Sequence, residues 1–225
     1  MSLSPHTQDN LPPRPLLRGW SHALGAVVAL GFTVAMLVAS AGDVPRMIAL
    51  LIFGLSMIQM YTVSAFYHIG RWSTRTHRVL RSLDHSNIFV LIAGTYTPVL
   101  VVALAGWGEV AMLATVWIIA IAGVLLSVLK LNLPRWVGTL LYIGMGWISI
   151  FIVPAVWNSL SGAAVALMAL GGVLYTIGAV IYALKRPNPF PRVFGFHEIF
   201  HLFVIAGSAT FAIVVWVWTV PHSAV

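Results

Sequence analysis

A chain of 225 residues that is 60% hydrophobic and only 8% charged cannot cover itself with polar surface, which excludes a soluble globular domain and makes lipid its solvent. The formal charge of +7 does not indicate nucleic acid, because the basic residues fall in short loops between apolar runs rather than along one stripe. The absence of cysteine removes disulfides, thiolate nucleophiles and Cys-ligated metal sites.

Residues 1–19 are polar and carry Pro5, Pro12, Pro13 and Pro15, so they are expected to form a disordered cytoplasmic tail. Apolar segments follow at 20–41, 47–69, 84–104, 110–130, 136–157, 163–184 and 196–218, with 219–225 a short external tail. Each segment is close to the ~20 residues that cross a ~30 Å hydrocarbon layer at ~1.5 Å per residue. Runs this long and continuous are not barrel strands, and in lipid the backbone must satisfy itself. The expected fold is therefore an all-α integral membrane protein, a seven-transmembrane helix bundle over 20–218. Ala39-Ser40-Ala41 looks like a signal-peptidase site, but the apolar stretch before it exceeds the ~7–15 residues of a signal core.

Loop charges predict orientation. Arg14, Arg18, Arg71, Arg75, Arg78, Arg81, Lys130, Arg135, Lys185, Arg186 and Arg192 fall on one side, and only Arg46 on the other. The positive-inside rule then places the N-terminus in the cytoplasm and the C-terminus outside. Trp20, Trp72, Trp107, Trp136 and Trp157 fall at segment ends, where an indole ring stays apolar and its N–H wet.

Ionisable groups inside a membrane are costly and mark function. Segment 2 ends with Ser64 and His68, segment 3 opens with Asp84 and His85, and segment 7 opens with His197-Glu198-Ile199-Phe200-His201, all near one predicted face. His197 and His201, four apart, share a helix face and can hold one cation; His68 completes a three-histidine set. Neutral imidazoles suit zinc, and three protein ligands with one open position is a catalytic rather than a structural pattern. Asp84 either becomes a fourth ligand or accepts a hydrogen bond from a water on the metal, and the water-holding role is favoured.

Plainer readings apply elsewhere. His22, His77 and His222 sit near segment ends and read as interfacial or as helix-dipole partners, and His6 lies in the tail. His85 is ~100° around the helix from Asp84, beside the site or facing a neighbouring helix. Ser64 either bonds back to the carbonyl of Met60 or contacts Asp84 and the site water. For the whole cluster the alternative is a metal-free polar network between helices.

Four stretches together resemble the bacterial hemolysin III proteins of the progestin and adiponectin receptor family. They are Ser64-x-x-x-His68, Arg81-Ser82-Leu83-Asp84-His85-Ser86-Asn87-Ile88-Phe89, Ala93-Gly94-Thr95-Tyr96-Thr97-Pro98 and His197-Glu198-Ile199-Phe200-His201-Leu202. The resemblance runs from about residue 18 to 218. It implies seven helices in a bacterial inner (plasma) membrane, with zinc on His68, His197 and His201, a water held by Asp84, and Ser64 in the same site. It also links the chain to alkaline ceramidases, in which such a site cleaves lipid amides. Receptor members carry an amide residue where this chain has Glu198, so a receptor mechanism does not transfer directly.

Three functions compete. The first is a zinc-dependent hydrolase of a lipid amide or ester, with Asp84 orienting water and moving its proton and Ser64 steadying the oxyanion. The second is a non-enzymatic lipid sensor or receptor with a structural zinc. The third is an intramembrane protease, since His197-Glu198-Ile199-Phe200-His201 satisfies H-E-x-x-H with Glu198 as base. A pore-forming hemolysin rests on the family label alone. A retinal pigment is disfavoured because Lys130 and Lys185 lie at segment ends, and a transporter because the polar groups sit at one face rather than the midplane.

Overall fold

Polar punctuation decides where the helices start. A computed structural model describes residues 15–129 and 135–220; the expected tails at 1–14 and 221–225, with His6, Arg14 and His222, lie outside the described residues, as does Lys130. Helix α1 (Trp20–Ala39) follows Gly19, whose φ of +86° is open to glycine but strained for other residues. Helix α2 (Val44–Ile69) opens on Asp43, whose carboxylate accepts from the N–H of Arg46, with Pro45 in the first turn where no N–H is needed. Helix α3 (Thr74–Ala103) is capped by Ser73, whose hydroxyl accepts from the N–H of Thr76.

That cap corrects the expected third segment, which was placed at 84–104. The helix begins ten residues earlier, at Thr74 rather than 84, because hydropathy reports the part that crosses lipid and not the part that is helical. Asp84 and His85 thus lie in the third turn of α3, held by helix on both sides.

Helix α4 (Trp107–Val128) is regular. The fifth span is broken: α5 (Arg135–Trp147) passes through a tight 3-10 stretch, Ile148–Ile152, into α6 (Val153–Ser159). Pro154 at the start of α6 cannot donate to the preceding turn. The Tyr96 hydroxyl, reaching from α3, lies 3.0 Å from the Met145 carbonyl oxygen and 2.7 Å from that of Gly146, so the irregular backbone is satisfied by a neighbouring helix. Helix α7 (Gly162–Leu184) is capped by Ser161, and α8 (Phe196–Val214) ends in a wide turn over Val215–Thr219.

Seven helical spans among the described residues are long and apolar enough to cross a membrane, counting α5 and α6 as one, and the chain is a multi-pass membrane protein. Outward-facing Leu24, Val27, Val28, Ile118 and Phe151 are strongly exposed, as side chains bathed in hydrocarbon should be. Helix α3 is the axis: 78% of its most apolar window is buried, against 22% for α1 and 17% for α4. With no hydrophobic drive between helices in lipid, close backbone approach supplies the packing. A Cβ on Gly54 would fall 2.3 Å from the side chain of Thr33, and one on Gly94 would fall 2.2 Å from the hydroxyl of Ser56. Two apolar clusters result, one mainly of α1, α2 and α8 around Phe53 and Met57, the other of α3 to α8 around Tyr96 and Val116.

Candidate metal centre

Register between α2 and α3 is set by one polar pair. The Gln59 side-chain N–H donates to Asn87 Oδ1 at 2.8 Å, and the Asn87 amide donates back to the Gln59 carbonyl at 3.4 Å. About one turn back along α3 is Asp84, and roughly one and a half and two and a half turns on along α2, which runs the opposite way, are Ser64 and His68. The Gln59–Asn87 clamp therefore brings these groups to one level. Asp84 Oδ2 lies 3.8 Å from His68 Nε2, too long for a direct hydrogen bond.

Helix α8 supplies the other two imidazoles. Its first turn is fixed by two side chains: Glu198 Oε2 accepts from the Gly195 N–H at 2.7 Å, and Asn188 Oδ1 accepts from the Phe196 N–H at 3.1 Å. So anchored, His197 and His201 face α2, and His197 Nε2 stands 3.0 Å from His68 Nε2. One candidate ligand atom from each of His68, His197 and His201 falls within 4.8 Å of the others. Nitrogens bound at ~2.0–2.1 Å in a tetrahedral zinc site are roughly 3.3 Å apart, so the closest pair is already near ligand spacing.

Orphaned polar atoms test the fit independently. His201 Nδ1, Asp84 Oδ1 and Ser64 Oγ are buried and make no hydrogen bond among the described residues, although Ser64 sits beside the Asp84 carboxylate. Buried polar atoms without partners are rare and costly, and their clustering beside three convergent imidazoles fits a missing cation with its water. These three histidines can hold a metal ion.

The remaining candidates separate. His85 sits beside the site, with its Nδ1 3.8 Å from Asp84 Oδ2. That nitrogen donates to the Arg81 carbonyl 2.8 Å away, leaving Nε2 to accept from the Tyr182 hydroxyl at 3.0 Å. Glu198 does not face the histidine centre: one carboxylate oxygen takes the Gly195 N–H and the other takes Arg18 Nε at 2.7 Å. In this arrangement both carboxylate oxygens are engaged with Gly195 and Arg18 rather than with the three histidines.

Three residues were not singled out as site residues from sequence. His22, read as interfacial, is fully buried and stacks on His201 with ring centroids 3.8 Å apart and planes 12° apart. Arg18, read as a topology signal, is the partner of Glu198. Gly19 passes so close to α2 that a Cβ there would stand 2.9 Å from the His68 Cβ. Residues 15–19, expected within the tail, instead form a strap: the N–H groups of Leu16 and Leu17 donate to the Arg192 and Val193 carbonyls at 3.1 and 3.2 Å. The available signal was the sequence Arg18-Gly19-Trp20-Ser21-His22, a cation, a glycine and a histidine together where an apolar helix begins. His77, also read as interfacial, packs its ring 5.0 Å from that of Tyr67.

From the centre a partly open cleft runs into the bundle between α2, α3, α5, α7 and α8. Ser64, Asp84, His197 and His201 stand at its polar end, and Ile92, Met168 and Phe211 are among its apolar walls.

Comparison with known proteins is consistent along the whole bundle. A family model described as haemolysin-III related matches residues 12–212. The chain is 35% identical over 191 residues to a hemolysin-3 homolog of Bacillus subtilis (strain 168), covering 84% of this chain and 86% of that one. To hemolysin-3 of Bacillus cereus it is 31% identical over 203 residues, 89% of this chain and 90% of the other. To the human monocyte to macrophage differentiation factor it is 27% identical over 172 residues, 73% and 68% of the two chains. Seven apolar spans and these bacterial relatives make it a multi-pass protein of the bacterial plasma membrane.

Proposed function

Since the chain belongs to the haemolysin-III-related family, a family of membrane proteins whose signature stretches here converge on a histidine centre, we propose that it is a zinc-dependent hydrolase of a lipid amide or ester. One observation carries this reading: His197, His201, Asp84 and Ser64 stand at the polar end of a cleft whose walls are mostly apolar, with His68 against His197, so an apolar chain lying in the cleft ends at the histidine centre. A sensor with a purely structural metal has no need of that continuity, nor of a buried carboxylate oxygen left without a hydrogen bond beside the metal ligands.

Zinc on His68, His197 and His201 would supply Lewis-acid polarisation of the scissile carbonyl. The protein's own groups do the rest. Asp84, unbonded at Oδ1, accepts a hydrogen bond from the attacking water and takes its proton. The Ser64 hydroxyl donates toward the oxygen that gains charge. His22, flat against His201, limits the rotation of that imidazole, and the cleft holds the chain and excludes bulk water.

The test follows fatty-acid release from a panel of lipid amides and esters in mixed micelles, using protein of measured metal content. Turnover of at least one class, lost on metal chelation and restored by zinc, is the expected result. Folded, metal-loaded protein that turns over nothing would transfer the reading to a lipid sensor or receptor.

The cytoplasmic N-terminus belongs to the same proposal, supported by basic residues gathered at the end of the bundle that holds the centre. Reporter fusions in the 71–81 and 185–195 loops should report cytoplasm, and a fusion after Val225 should report the outside. A cytoplasmic C-terminus would overturn this topology.

A further inference from the structure

On the loop side of the centre is a second cavity, partly open at the protein surface. It differs chemically from the inner cleft. Its walls include Arg18, Arg81, Tyr67, Tyr182, His77 and His85, with the outer edges of His68 and His197 as its floor. Among the described residues no aspartate or glutamate lines it. The bond from Arg18 to Glu198 uses Nε, which leaves its terminal guanidinium nitrogens for another acceptor. Arg81 is exposed and pairs with no acidic residue among the described residues. Arg71, Arg75, Arg78, Lys185, Arg186 and Arg192 lie in the surrounding loops and helix ends, so the field over the mouth is strongly positive.

His85, Tyr182 and His197 line both cavities, and the Tyr182–His85 hydrogen bond at 3.0 Å stands between them. A group held in the outer cavity is therefore next to the histidine centre yet outside the apolar cleft.

We propose that this vestibule binds a phosphate oxyanion, either on a lipid headgroup or free in solution. Two guanidinium groups approaching from different elements, the segment before α1 and the second turn of α3, suit a tetrahedral, multiply charged oxyanion. Its position at the basic end of the spans is the depth at which headgroup phosphates sit. Such a site exists whether or not the histidine centre turns anything over.

The experiment measures thermal unfolding of the full-length protein in neutral detergent, in two arms. One arm adds inorganic phosphate against potassium chloride at matched ionic strength. The other adds short-chain phosphatidic acid against diacylglycerol with the same chains. A saturable rise in Tm is expected with at least one phosphate probe; the free ion alone identifies a soluble anion, and a tighter response to phosphatidic acid identifies a headgroup. Arg81→Gln should weaken that response by roughly tenfold or more, the usual scale for a charge-assisted bond. Arg75→Gln, outside the vestibule, should leave it unchanged. No rise beyond the controls in either arm, or wild-type affinity in Arg81→Gln, would overturn the proposal.

Discussion

His197→Ala is expected to empty the centre, with metal content in purified protein falling from about one ion per chain to near zero. Loss of outer groups around a metal typically costs 10–100-fold in affinity, and loss of one of three direct ligands costs more. The same holds for His68→Ala, because His68 Nε2 and His197 Nε2, 3.0 Å apart, approach one point from different helices. His85→Ala should keep its metal, since the His85 imidazole bonds to Tyr182 and to the Arg81 carbonyl. Circular dichroism on the same samples separates ligand loss from unfolding. Full metal content in helical His197→Ala would mean that the imidazoles form only a polar network.

Asp84→Asn separates holding a metal from using it. The amide keeps the shape and leaves three imidazoles in place, so the fold and most of the metal should survive. Turnover of the responsive lipid should fall by a factor on the order of 10²–10⁴, the usual contribution of a general acid–base. Metal loss equal to that in the histidine variants would instead make Asp84 a ligand. Glu198→Gln serves as the contrast. Both Glu198 oxygens are engaged, with Gly195 and Arg18, so the substitution should lower stability by roughly 1–3 kcal/mol while leaving most of the turnover per bound metal. Abolished activity in folded, metal-loaded Glu198→Gln would restore the protease reading.

The span count was legible because a hydrocarbon layer requires a fixed run of apolar residues, and that run is a property of composition. The meeting of His68 with His197 and His201 was legible for a related reason: spans that alternate direction return remote residues to the same depth, and a spacing of four fixes the face. The start of α3 at Thr74 was not legible, because Ser73 caps a polar turn that no hydropathy window rewards. The break in the fifth span depends on Tyr96, forty-nine residues from the Met145 carbonyl it reaches, and a partner that distant leaves no local mark. The stacking of His22 on His201 was hidden in the same way. Distance from a segment end gives depth in the bilayer but not the direction a ring faces.

Order of synthesis gives the strap another meaning. Arg18 is made early and waits for Glu198, 180 residues later, and His68 waits 129 residues for His197. A chain stalled before its seventh span has one imidazole of the three and an Arg18 with no carboxylate to meet. Metal retention would therefore report that the last helix has inserted and docked against the second, so a metal assay on membranes would also count the chains that have finished assembling.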